Sequence, residues 1–192
     1  TIISEIAAKG ERIKIINFDR QVPFPQVLEE GRQFCRTPLM ARMDSDDRMH
    51  CERLQDDLQM FETYPQAAVV SSQVELFPPS QVQEGMALYM QWQNEILTPA
   101  QHDKEIWIEQ TICQPAATMR QSALNEIGGY REGPFPEDYD LFMRLHLAGA
   151  AFYKRSKVGH YWRRHQSSIS VVSDDFHQDA FARVKAMGLK EK

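Results

Sequence analysis

The sequence is short of cysteine, of long apolar runs and of positive charge, and each shortage removes a class of protein. Cys35, Cys51 and Cys113 are odd in number and far apart, with no Cys-x-x-Cys pair. A disulfide framework or a zinc site is therefore not expected, and a reducing compartment, the cytoplasm, is. No apolar run approaches the ~18 residues of a membrane span, and no signal peptide is visible. Any membrane association would then be peripheral, at the inner face. The net charge is −5, which argues against wrapping nucleic acid. The one dense basic stretch, Lys154-Arg155 to Lys157 with Arg163-Arg164, reads as a solvated strand edge.

What is present suits a soluble globular domain. The chain has 192 residues, 42% hydrophobic and 26% charged, enough for one sizeable core. Ile2, Ile3 and Ile6 before Gly10 look like the end of a helix that begins upstream of Thr1. Strands are expected over 12–17, 38–43, 67–77, 116–120, 151–154 and 158–162 from β-branched and aromatic content. Helices are expected from Pro25 to Cys35, then over 48–63, 85–97, 103–112, 122–128, 138–148 and 174–188. In the 48–63 helix, Leu54, Leu58 and Phe61 would form the buried face. Strands alternating with helices imply an α/β layered fold. The polar stretch 167–175 marks the edge of its compact part.

Two acidic clusters carry the chemistry. Asp44, Asp46 and Asp47 follow directly on a strand, and in open α/β sheets ligands sit beyond the carboxyl ends of strands. Crowded carboxylates repel unless a cation neutralises them, and oxygen donors at alternate positions suit Mg²⁺ or Mn²⁺. A helix cap by Asp46 or Asp47 explains the cluster alone equally well. An EF-hand fits poorly, because Met49 and Gln55 stand where it needs glycine and glutamate. A haloacid-dehalogenase-type phosphatase wants Thr or Val where this chain has Asp47. The second cluster, Glu137-Asp138-Tyr139-Asp140, opens a helix behind a glycine-rich, aromatic stretch. It can complement the helix dipole, or place a general base beside a hydroxyl. Arg144 reads equally as an ion-pair partner or a ligand group. His165 sits among donors able to meet phosphate.

Three segments in order resemble the family 2 glycosyltransferases. Ala41-Arg42-Met43-Asp44-Ser45-Asp46-Asp47, with Glu52-Arg53-Leu54 after it, resembles their metal-binding segment. Gly128-Gly129-Tyr130-Arg131 followed by Glu137-Asp138-Tyr139-Asp140-Leu141 and Arg144-Leu145 resembles their acceptor-side segment. Tyr161-Trp162-Arg163-Arg164-His165 with Ser168 and Ser170 resembles their closing signature. The resemblance implies a GT-A fold: an α/β, Rossmann-like single domain with a mixed, mostly parallel sheet flanked by helices. Residues 1–98 would be the remaining nucleotide and metal half, 99–172 the acceptor half and 173–192 a C-terminal helix. The first nucleotide-binding strand or strands are lacking.

The resemblance further implies a nucleotide-sugar donor, most often UDP-linked, a divalent cation (Mn²⁺ or Mg²⁺), a saccharide or other hydroxyl acceptor, and inversion at the anomeric carbon. Carried over by position, Asp138 is the base. Asp44, Arg42 and Arg144 meet the donor. Asp46, with Asp44 and His165, holds the metal. Glu137, Tyr130 and Trp162 lie toward the acceptor. The chain departs from the family pattern at Glu29, two residues before Gly31, and at Gln114-Pro115, where many members carry histidine-proline. Recognition of the base is not expected in this chain, and a second copy is expected to cover the apolar sheet surface left by the absent strand. A non-catalytic remnant that binds sugars or partners is the alternative reading. A phosphatase using Asp44 is a more distant one.

Overall fold

The structure, a computed structural model, describes residues 5, 10, 13–166 and 178–191. Apart from Glu5, the expected Thr1–Lys9 helix lies outside these residues, as do Ser168, Ser170 and the rest of the 167–175 connection. The described chain folds into a five-stranded mixed sheet in the order β1-β4-β3-β5-β2, with helices packed on it. β1 is Leu39–Ala41, β2 Arg48–Met49, β3 Ala67–Phe77, β4 Thr118–Arg120 and β5 Ala151–Arg163. The helices are α1 Phe24–Phe34, α2 Arg53–Thr63, α3 Glu84–Glu95, α4 Pro99–Glu105, α5 Gln121–Glu126, α6 Glu137–Leu147 and α7 Gln178–Glu191. Among the described residues no helix is long and apolar enough to cross a membrane.

The long strands β3 and β5 run parallel side by side. Parallel neighbours need a crossover, and residues 78–150 supply it with α3, α4, α5 and α6. β4 interrupts this crossover and pairs antiparallel with β3, while β1 and β2 close the two edges antiparallel. The sheet is thus mixed, as expected, but only one of the four described pairings is parallel. "Mostly parallel" does not hold there, because the short strands come from loops that double back rather than from complete crossovers.

One consequence fixes the site. β1 and β2 are consecutive in sequence and lie on opposite edges, so residues 42–47 must pass across the ends of β4, β3 and β5. Four strand gaps amount to about 19 Å, within reach of the seven peptide steps from Ala41 to Arg48. Ala41 pairs with Thr118 and Arg48 with Tyr161, which places this acidic loop at the carboxyl end of β5.

Other departures have local reasons. Residues 13–17 form no strand; Ile13 and Ile15 stay exposed and find no sheet edge. The helix expected from Arg48 begins at Arg53, because Arg48 and Met49 are taken up by β5. Its buried face is Arg53, Asp57 and Phe61, whereas Leu54 and Leu58 are 45% and 53% exposed. The helix expected over 103–112 is α4, set early by a capping box in which Thr98 and Gln101 satisfy each other's backbone. The two strands expected after residue 150 are one, β5, with register irregularities opposite Ser72 and Gln73.

The main core lies between the sheet and α6 and α7. Ile106, Met119, Leu124, Tyr139, Phe142, Phe152 and Val184 are buried together, each contributing about 1.5–3 kcal/mol for the larger apolar side chains. Gly128 and Gly129 end α5 in left-handed backbone, with φ of 77° and 71°. A Cβ on Gly129 would collide with a Glu29 carboxylate oxygen. Glu29 accepts from the Tyr130 N–H at 3.0 Å and pairs with Arg32 at 2.6 Å. The departure at Glu29 therefore staples α1 to the turn that leads into α6.

Candidate active site

A cavity of about 580 Å³ opens where the 42–47 loop, the end of β5 and the start of α6 meet. Arg42, Asp44, Ser45 and Asp46 of the loop line it, with Trp162, Arg163 and His165 from the end of β5 and beyond, and Glu137 and Asp138 from the start of α6. Phe24, Met86, Tyr89 and Phe181 add apolar surface.

The three aspartates of the loop diverge. Asp44 accepts from Arg42 Nη2 at 2.6 Å. Asp46 lies 3.0 Å from His165 Nε2, and both side chains stay open to the cavity, at 43% and 39% exposure. Asp47 turns inward: its Oδ2 is 2.7 Å from His160 Nε2 with both side chains 0% exposed, and its Oδ1 accepts from the Arg163 N–H at 2.7 Å. Arg163 Nε also donates to the Asp46 carbonyl at 2.7 Å. The loop is thereby fastened to β5 by Asp47, which leaves Asp46 facing outward at the adjacent position.

Beneath the loop lies Arg53, fully buried in α2. It donates to the carbonyls of Pro115, Arg42 and Ala117 at 2.7, 3.1 and 3.2 Å. Its Nε is 3.6 Å from Asp57, which accepts from Thr118 Oγ1 at 2.6 Å. Arg53 ties the start of the acidic loop to the segment before β4.

At the start of α6, Asp138 Oδ1 accepts from the Tyr139 N–H and Oδ2 from Gln110 Nε2, each at 2.8 Å. Burial raises the Asp138 pKa above the ordinary carboxylate value, and these two hydrogen bonds hold part of that rise back. Burial, with Asp138 beside it, pushes Glu137 up to about 8.

The structure brings Arg42, Asp44, Asp46, Glu137, Asp138, Trp162 and His165 around one cavity, and does not bring Arg144 or Tyr130 into its lining. Arg144 was expected to meet the donor. It instead binds Asp140 at 2.9 Å and the carbonyls of Ile127 and Gly129 at 2.7 and 2.8 Å, locking α6 onto the glycine turn. Tyr130 is buried in the main core. Asp44 was expected to join Asp46 and His165 around a metal. Among the described residues no three His, Cys, Asp or Glu side chains gather to hold an ion, and Asp44 is paired with Arg42. What remains is a two-donor set, Asp46 and His165. Of the two, only the Asp46 carboxylate is a donor of the kind a Mg²⁺-type ion takes, such an ion filling its other positions from substrate phosphate and water.

Three contributors were not singled out from the sequence. His160 lies 113 positions from Asp47, and nothing local links them. Arg53 was read as part of the helix that follows the metal-binding segment, with no role of its own. Gln110 carries no titratable signal and stood inside the helix expected over 103–112.

No curated protein matches this chain. Among solved structures, S. aureus TarS 1-349 in complex with UDP-GlcNAc has the same fold, with a TM-score of 0.60 at 17% identity over 83% of this chain. The match covers 45% of that protein's chain, so the present sequence spans under half its length. The family model described as glycosyl transferase family 2 matches residues 1–128, and the chain belongs to that family.

Proposed function

We propose that this chain carries the catalytic centre of an inverting glycosyltransferase that moves a sugar from a nucleoside-diphosphate sugar, with UDP as the nucleotide, to an acceptor hydroxyl. The observation that carries this reading is that the Asp46–His165 pair and the Asp138 carboxylate line one cavity. Family membership and the fold shared with a UDP-GlcNAc-bound protein support the donor class.

Asp46 and His165 would hold a divalent cation at the donor diphosphate. Such an ion neutralises the leaving group's charge. Arg42 and Arg163 add positive charge to the same lining, and Trp162 offers a flat apolar face there. From the start of α6 Asp138 accepts the acceptor's hydroxyl proton as its oxygen attacks the anomeric carbon. The new C–O bond forms on the face opposite the diphosphate, the old one breaks, and the electron pair leaves with the nucleoside diphosphate. Its raised pKa suits Asp138 to this task, since a base works best when its pKa approaches the working pH. Free Cys35, Cys51 and Cys113 support a cytoplasmic setting.

Sugar transfer or hydrolysis from a UDP-sugar with Mn²⁺, in this chain and in an upstream-extended form, tests the proposal. Product of inverted anomeric configuration, lost in Asp138→Asn, is expected. Donor binding that survives while neither form turns over would favour the non-catalytic, sugar-binding alternative. A phosphoenzyme trapped at Asp44 would favour a phosphatase.

A further inference from the structure

Residues 110–113 belong to no helix or strand, yet their backbone is held at every step. The Gln110 carbonyl accepts from Tyr89 Oη at 3.0 Å and Gln93 Nε2 at 3.1 Å, both from α3. The Thr111 carbonyl accepts from Lys154 Nζ of β5 at 2.9 Å, and that amine also donates to the Gln93 carbonyl. Thr111 Oγ1 is 2.8 Å from His102 Nδ1 of α4. Buried carbonyls of an irregular segment must find donors, and here α3 and β5 supply them.

This clamp fixes one side chain. Gln110 is buried, and the two hydrogens of its amide have one acceptor each: the Ile112 carbonyl at 2.9 Å and Asp138 Oδ2 at 2.8 Å. The double donation sets which end of the amide is nitrogen, because an oxygen there would face two acceptors. With Tyr139 N–H on Oδ1, the Asp138 carboxylate is gripped at both oxygens.

We propose that Gln110 is a positioning residue for Asp138, holding Oδ2 so that the carboxylate is fixed in direction. The proposal rests on the reading of Asp138 as the base. A donor to the charged form favours that form. It opposes the burial around Asp138 and the nearby carboxylates Glu137 and Glu109, and it acts alongside Arg42. Tyr89, Cys113 and Tyr130 also face this region, and Lys154 reaches it through the clamp. The whole-protein pH profile therefore mixes several groups, and the Asp138 carboxyl has to be followed directly.

The test is ¹³C NMR of aspartate-labelled protein, with the Asp138 carboxyl signal assigned by its loss in Asp138→Asn. In Gln110→Leu the midpoint of that signal is expected to rise by about 1, a tenfold fall in the ionised fraction at intermediate pH. Turnover falls in step on the acid side, with donor KM unchanged. Gln110→Asn, one methylene shorter, gives the same direction should the leucine variant lose its cooperative melt. An unmoved midpoint in a folded variant overturns the role of Gln110. Transfer that persists in Asp138→Asn sinks instead the base reading on which it rests, so the two failures are distinguishable.

Discussion

Two aspartate–histidine pairs occupy adjacent positions of one loop, and their surroundings could hardly differ more. Asp47 and His160 are 2.7 Å apart and wholly buried, with Asp47 also capped by the Arg163 N–H. Asp46 and His165 are 3.0 Å apart and two-fifths exposed on the cavity wall. The same residue types in the same loop thus do different work according to the side of the backbone they leave from. The inward pair fastens the loop to β5, and the outward pair is what a ligand meets. A cluster of acids at a strand end is therefore two devices, an anchor and a hand, and variants should separate them.

The largest effect is expected outside the loop, at the start of α6. Asp138→Asn should lower transfer by about 10²- to 10⁴-fold, the usual worth of a positioned base, while urea unfolding stays cooperative. Asp47→Ala should do the reverse. It leaves His160 and the Arg163 N–H without a buried acceptor, at about 1–3 kcal/mol per group, read as a lowered urea midpoint.

Glu137 is expected to reveal itself through pH. Burial and Asp138 hold its pKa up at about 8 in the folded state, so folding favours its protonated form. The stability it contributes is present below its unfolded value near 4.5 and is lost as pH rises through about 8. Wild-type stability should fall over that window by on the order of 2 kcal/mol, at about 1.4 kcal/mol for each tenfold change in its protonation equilibrium and discounted for the carboxylate beside it. Glu137→Gln should flatten the fall, and an equally steep variant would contradict the burial argument.

Smaller still, Asp46→Asn should leave stability within about 0.5 kcal/mol and weaken cation-dependent donor binding by about tenfold, or 1.4 kcal/mol. Leu58→Gln on the exposed face of α2 should change neither activity nor stability beyond about 0.5 kcal/mol.

The last variant marks a limit of what was legible. Hydrophobic spacing pointed to Leu54, Leu58 and Phe61 as the inner face of α2, and only Phe61 is buried. The inner positions went to Arg53 and Asp57, whose charges are met by Thr118 and by the carbonyls of Arg42, Pro115 and Ala117, the last two far away in sequence. Burial of an ion pair depends on such remote partners and leaves no periodic trace. β3 and α6, by contrast, were readable almost to their ends, because β-branched content and the acidic start of a helix are local signals. The two-residue β2 was not, since its pairing with β5 is set by topology.

The site divides along the same line. Asp44, Asp46, Glu137, Asp138 and His165 were visible as clusters with the right spacing, and the structure gathers them. Arg144 looked equally suited to a ligand, yet its guanidinium is consumed by Asp140 and two carbonyls. Glu29 looked like a departure from the family and proves to be a staple on the Gly129 turn. Gln110 could not be found from the sequence, because an amide earns its role only from the carboxylate placed against it.

The most direct test of the division between anchor and hand is calorimetric titration of UDP with and without Mn²⁺, in this chain and in an upstream-extended form, comparing wild type, Asp46→Asn and Asp47→Asn. The account predicts Mn²⁺-dependent binding that Asp46→Asn weakens by about tenfold without lowering the melting temperature, and a lowered melting temperature in Asp47→Asn. UDP binding that ignores both Mn²⁺ and Asp46→Asn would contradict it.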